Sequence, residues 1–218
     1  TPTRYEFDAT FANTGGNITA RIDLVNTGDQ YIYAYGAQLE AGSYATSYIP
    51  TTSASVTRNA DVISKTGISS LIGQTEGTLF VEGSAISTGS SSGLGDSVYL
   101  FAISDNTISN QISVRLYPFD GVYYIQVRSG GSAIAFTSYT PTSLGQNVKI
   151  AIGYKTNDFA FYVNGVQIAT SSSGSVPALN SVNIGQFGGV LDGIGNIKAA
   201  ALWKTRLTNT QLAQLTTI

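Results

Sequence analysis

The run from Asn147 to Ala169 constrains the fold more than any other part of the chain. Val148, Ile150, Ile152 and Tyr154 alternate with Lys149, Ala151, Gly153 and Lys155, the period-2 pattern of a strand with one buried face. Thr156-Asn157-Asp158 interrupts it, and Phe159, Phe161 and Val163 resume the alternation. Asn164-Gly165 then supplies two residues that accept positive φ, as a two-residue type I′ hairpin requires. Three antiparallel strands on tight turns bury their apolar face only against a second layer. The run therefore predicts stacked sheets.

Further strands are expected at 77–86, 97–104, 111–117, 121–129, 132–137, 148–154, 159–170, 182–186 and 197–204, separated by Gly- and Ser-rich loops. One helix is expected near the end. Thr208 or Asn209 caps it, and Leu212 and Leu215 share a face. Trp203 alternates with Ile197, Ala199 and Ala201 and reads as a core residue. The first fifty residues carry three more alternating runs, around Tyr5–Phe11, Ile18–Leu24 and Tyr31–Tyr35. Three strands do not close a sandwich, so residues 1–50 read as the tail of a preceding one. Residues 51–74 read as a linker with a short helical turn near Ser69, and 75–218 as the main sandwich.

Composition narrows the function classes. Charged residues are 11% of the 218, against about 25% in ordinary soluble domains. Ser, Thr, Asn and Gly dominate the polar positions, giving a surface that is polar but hardly charged. Net charge is −2, with no basic block, which argues against nucleic acid and anionic membranes as partners. His and Cys are absent, so imidazole bases, thiolate nucleophiles and two-His or thiolate metal sites are excluded. No run of about 20 apolar residues predicts a membrane-spanning helix.

Two stretches resemble a known family. Gly36-Ala-Gln-Leu-Glu-Ala-Gly-Ser-Tyr-Ala-Thr-Ser-Tyr-Ile-Pro-Thr51, followed by Thr57-Arg-Asn-Ala-Asp61, resembles the junction in bacteriophage tail-fibre and minor structural proteins. There a carbohydrate-binding-like sandwich passes into a concanavalin A-like (laminin G-like) lectin domain. Gly77-Thr-Leu-Phe-Val-Glu82, Phe161-Tyr-Val-Asn-Gly165 and the strand-then-helix ending Leu202-Trp203-Lys204…Gln211-Leu212 resemble that jelly roll. The resemblance implies an all-β concanavalin A-like sandwich after a partial β segment. It also implies a homotrimeric virion component outside the cell that attaches to bacterial surface polysaccharide, without catalysis. The alternatives are a structural domain that joins or trimerises fibre segments, and a glycan-binding module of a secreted bacterial enzyme.

Residues 111–117 and 121–129 should pair through the turn Pro118-Phe119-Asp120-Gly121. Ile112, Val114, Leu116, Val122 (or Tyr123), Ile125 and Val127 would face the core. The opposite face then presents Ser113, Arg115, Tyr117, Tyr124, Gln126 and Arg128. Tyr rings stack on the C–H face of a sugar, while Arg and Gln hydrogen-bond its hydroxyls or a carboxylate. Arg115, Tyr117, Tyr124, Gln126 and Arg128 are accordingly the candidate glycan-binding residues. An ordinary solvated or covered sheet face would carry the same pattern. No cofactor is expected. Calcium is the metal an oxygen-only donor set would take, with Asp96, Asp105, Asn106, Asp120, Asn157, Asp158 and Asp192 in loops. Those residues lack the dense spacing of a calcium loop and read as turn formers. Glu82, an acid inside a strand, has no acid beside it at the spacing a glycosidase needs.

Overall fold

A computed structural model describes residues 33, 35–40, 47–51, 53–56, 63–87, 98–117, 120–143, 145–185 and 193–218. The chain divides into two compact units, Thr1–Asn59 and Ala60–Ile218. In the first unit, the two earlier expected strands and most of the third lie outside the described residues. The junction motif itself is partly visible. The Gln38 side chain fastens it, with Oε1 accepting from Ile49 N at 2.7 Å and Nε2 donating to the Ser47 carbonyl at 3.4 Å. Gly36 adopts the left-handed φ of 69° that favours glycine.

Besides a 3-10 turn (Ser69–Leu71), the second unit has among its described residues eleven strands and one α-helix. They are β1 (Ile63–Thr66), β2 (Glu76–Ser87), β3 (Val98–Ser104), β4 (Gln111–Tyr117), β5 (Val122–Ser129), β6 (Ser132–Tyr139), β7 (Val148–Lys155), β8 (Asp158–Val163), β9 (Val166–Ser171), β10 (Ser181–Ile184), β11 (Gly193–Trp203) and α1 (Asn209–Thr216). All pairs are antiparallel. One sheet runs β1-β10-β3-β4-β5-β6 and the other β11-β2-β7-β8-β9. This is the all-β, concanavalin A-like jelly roll that the resemblance implied.

The turns follow from their residues. Asn164 and Gly165 both have positive φ, closing the β8–β9 hairpin as expected. Gly130 and Gly131 do the same between β5 and β6, and Asn157 turns β7 into β8. The core lies between the sheets. Ile112, Val114, Leu116, Ile125 and Val127 enter it from one side, and Val148, Ile150, Ile152, Phe159 and Phe161 from the other. At the ambiguous position it is Tyr123 that is buried there, while Val122 is only partly covered.

Two features differ from expectation. The sheet starts at Ile63, inside the stretch read as linker, because β1 pairs with β10. Its four residues are all exposed, so it carries no apolar alternation to read. In β11 a bulge between Ile197 and Ala199 reverses the alternation. Ile197 therefore packs on the inter-sheet core, whereas Ala201 and Trp203 lie on the outer face of the second sheet. There Phe80, Ala151, Ala160 and Tyr162 form a satellite cluster roofed by Leu212, Ala213 and Leu215 of α1. A capping box starts the helix. Thr208 Oγ1 accepts from Gln211 N, and Gln211 Oε1 accepts from Thr208 N. The helix thus covers the outer side of the second sheet, whereas the outer side of β3–β6 carries no helix among the described residues.

Candidate functional site

Antiparallel register decides which side chains meet on that face. Arg115 lies opposite Tyr99 on β3 and Tyr124 on β5, and Tyr124 lies opposite Ser138 on β6. One step along, Ala102, Ser113, Gln126 and Phe136 align, and next come Ser104, Gln111 and Arg128. Period-2 alternation puts all of them opposite the core-facing Ile112, Val114, Ile125 and Val127. Arg115, Tyr124, Gln126 and Arg128 thus share one face, with Tyr117 at the end of β4 against Tyr124.

The face has an aromatic end and a polar end. Tyr117 and Tyr124 meet edge to face with centroids 5.8 Å apart, and Tyr124 stacks on Phe136 at 5.6 Å with an interplanar angle of 30°. The Arg115 guanidinium carbon sits 5.9 Å from the Tyr99 ring centre and 5.8 Å from that of Tyr124, within cation–π range of both. Tyr124 Oη donates to Asp120 Oδ2 at 2.9 Å, and Asp120 Oδ1 caps the turn by accepting from Val122 N. The hydrogen bond to Asp120 raises the Tyr124 pKa above the ordinary tyrosine value, with burial and the Asp120 charge adding to it against Arg115. Tyr124 is therefore a neutral ring held at a fixed tilt. Phe136 is its outer neighbour and is 49% exposed.

The polar end is a floor of small and amide side chains. Ser104, Ser113 and Ser181 are fully buried, and the Ser104 and Ser181 hydroxyls bond each other at 2.9 Å. Gln126 is only 2% exposed and donates to Ser113 Oγ at 3.3 Å. That amide is buried and is not displayed at the surface as the sequence reading had it. Arg128 is half-buried, and its Nη2 bonds the Gly131 carbonyl. Gln111 Oε1, Arg128 Nε and Asn183 Nδ2, all on this face, are buried without a hydrogen-bond partner among the described residues.

Three residues here were missed by sequence reasoning: Phe136, Tyr99 and Gln111. Phe136 had a readable signal, since Ala135 faces inward and an apolar ring at the next position must point outward. Tyr99 had none, because a bulge between Tyr99 and Phe101 shifts the alternation of β3.

The loop acids have local partners. Asp105 accepts from Thr107 N, Thr107 Oγ1 and Asn110 Nδ2. Burial opposes its ionisation, but those hydrogen bonds outweigh it and hold the carboxyl below its ordinary range. Asn157 accepts from Gly174 N, and Asp158 pairs with Arg206 at 2.9 Å. Asp96 and Asp192 lie outside the described residues. Among the described residues no group of three or more acidic side chains converges as a metal site. Glu82 accepts from Asn147 Nδ2 at 3.0 Å, and Glu76 pairs with Lys155 at 3.1 Å. No helix among the described residues is long and apolar enough to cross a membrane.

No protein-family model and no curated protein matches the sequence. Solved structures do resemble the fold. The CBM40 of the Ruminococcus gnavus IT-sialidase superposes with a TM-score of 0.52 at 12% identity, covering 73% of this chain and 98% of that one. The same module bound to α2,3-sialyllactose gives 0.52 at 13% identity, covering 73% and 97%. A heptameric SAP-like pentraxin from Limulus polyphemus gives 0.47 at 18% identity, covering 63% and 68%. At such identities the CBM40 likeness shows a shared lectin-like jelly-roll fold.

Proposed function

We propose that the sandwich is a non-catalytic glycan-binding module, and that the outer face of β3–β6 is its binding surface. The observation that carries this is the half-exposed Phe136 stacked on Tyr124 beside Tyr117, an aromatic shelf on an otherwise polar, weakly charged face. A sugar ring lays its C–H face on such rings while arginines and amides meet its hydroxyls. That the structurally similar CBM40 is seen with α2,3-sialyllactose supports a saccharide as the class of ligand. The resemblance of the Gly36–Thr51 stretch to the junction of phage tail-fibre proteins supports the finer reading of the chain as part of such a fibre, attaching to bacterial surface polysaccharide. A homotrimeric fibre would multiply several weak sites by avidity. The test is binding of the purified chain to host cells and to their isolated polysaccharide, compared with Phe136→Ser and Tyr124→Ser. Equal binding by all three proteins rejects this face; shortening of the polysaccharide during incubation rejects the non-catalytic reading.

A further inference from the structure

The aromatic shelf ends on a carboxylate with capacity to spare. Asp120 is exposed, in the turn between β4 and β5. Its Oδ2 accepts from Tyr124 Oη and its Oδ1 from Val122 N, both at 2.9 Å. The two oxygens of a carboxylate offer about four lone-pair sites, so each keeps an acceptor position in hand. The other acids described in this unit are engaged elsewhere. Asp105 accepts from Thr107 and Asn110, Glu82 accepts from Asn147, and Asp158 and Glu76 form ion pairs with Arg206 and Lys155. Neither of those ion pairs involves Asp120. Its bond to Tyr124 fixes it at the rim of the ring that stacks on Phe136. The exposed Ser138 lies opposite Tyr124 on β6 and flanks the same ring.

We infer that Asp120 sets the specificity of the shelf: it accepts hydrogen bonds from adjacent hydroxyls of a neutral sugar stacked on Phe136 and Tyr124, and disfavours sugars that present a carboxylate there. The inference rests on the glycan-binding reading of this face. Stacking fixes the plane of the sugar, so its peripheral hydroxyls meet whatever stands at the edge of the aromatic rings. At the Tyr124 edge that group is an acceptor only, and it needs hydrogens from the ligand. A pair of neighbouring hydroxyls supplies two, and bonds to an ionised acceptor are about twice as strong as neutral ones. A sugar carboxylate has no hydrogen to give and brings a like charge. The cations of this face do not offset that locally. The Arg115 guanidinium lies over the Tyr99 and Tyr124 rings, and Arg128 is held on the Gly131 carbonyl at the polar end. At the Tyr124 hydroxyl the charge of Asp120 has a larger effect than that of Arg115.

The test is a printed array of neutral hexose oligosaccharides, each beside its counterpart with the hydroxymethyl oxidised to a uronic acid. It is probed with the full chain and with Asp120→Asn, Tyr124→Phe and Phe136→Ser. Wild type should bind neutral members, with the uronic forms at least about fivefold weaker, the scale of one like-charge contact in water. That gap should narrow as salt is raised from about 0.05 to about 0.5 M. Asp120→Asn suits a turn and keeps an acceptor for Val122 N, but removes the charge. It should weaken neutral binding about three- to tenfold and close most of the gap. Tyr124→Phe leaves the carboxylate in place and should bind neutral members as wild type does. Equal or stronger wild-type binding of the uronic forms overturns the inference. So does a loss in Tyr124→Phe as large as in Asp120→Asn, which would make Asp120 a support for the ring and nothing more. Wild-type behaviour of Asp120→Asn beside a weakened Phe136→Ser also overturns it, with the face reading intact. No binding to any member removes the neutral-sugar assignment and leaves the face to the polysaccharide assay. Phe136→Ser binding as wild type removes both.

Discussion

Replacing Gly77 by alanine should unseat one end of the sandwich. Gly77, the second residue of β2, lies opposite Tyr154, and a Cβ there would fall inside the van der Waals shell of the Tyr154 Oη and Cζ atoms and 2.8 Å from the Trp203 carbonyl oxygen. The phenol cannot step aside cheaply. Tyr154 is fully buried, and its Oη donates to the Gly73 carbonyl at 3.1 Å. Overpacking of this kind costs about 1–3 kcal/mol, and a displaced phenol that strands a buried hydrogen-bonding group costs roughly as much again. The sum is about 2–6 kcal/mol, which in a unit of this size lowers the melting temperature by roughly 5–20 °C. Circular dichroism melts of the wild type and Gly77→Ala read this directly. Pairing Gly77→Ala with Tyr154→Leu removes the ring that the methyl strikes, so the double variant should be less destabilised than the sum of the singles by about 1 kcal/mol or more. Strict additivity, or a melt of Gly77→Ala within a degree of wild type, would refute the packing described for this corner.

Thr208→Ala breaks the capping box and should lower stability by about 0.5–2 kcal/mol in urea titrations, with an unchanged slope. Burial raises the Tyr154 pKa well above the ordinary tyrosine value, and the Asp120 bond raises that of Tyr124. Their contributions are complete below the unfolded tyrosine value of about 10 and are lost as pH rises towards the folded values, so Tyr154→Phe should flatten the decline in unfolding free energy measured between about pH 9 and 11. At the acid end Asp105 has the opposite sign: its lowered pKa favours the fold above the unfolded aspartate value and the benefit fades as pH falls through the folded one. Asp105→Asn should shrink that acid limb in the same titration carried below pH 4. Tyr124→Phe keeps the ring and deletes only the Asp120 bond, so it should retain polysaccharide binding, whereas Tyr124→Ser should lose it.

Much of the fold was legible because strands write their burial into alternation. Val148 to Tyr154 and Ile112 to Leu116 point inward as their period predicts, and the Asn164-Gly165 turn falls where two positive φ values were needed. Alternation fails at bulges, which are invisible in a single sequence. The extra residue in β11 moved Trp203 from the expected inter-sheet core to the satellite cluster under α1, and the one in β3 hid Tyr99. Exposed edge strands also escape it, as β1 did. For the candidate site, the pairing of β4 with β5 was readable from the intervening turn, so Arg115, Tyr124 and Arg128 could be placed on one face. What that face does at depth was not. Gln126 and Gln111 are both buried, the first bonded to Ser113 and the second donating to the Ile108 carbonyl. Depth on an outward face depends on tertiary packing, which period alone does not encode.

The most direct test of the central claim is a backbone amide NMR titration of the assigned chain with polysaccharide fragments prepared from its host's surface. The account predicts that shift changes concentrate on β4, β5 and β6, at Ser113, Arg115, Tyr124, Gln126, Phe136 and Ser138. Changes confined to α1 and the satellite cluster around Tyr162, with the β4–β6 amides unmoved, would contradict it.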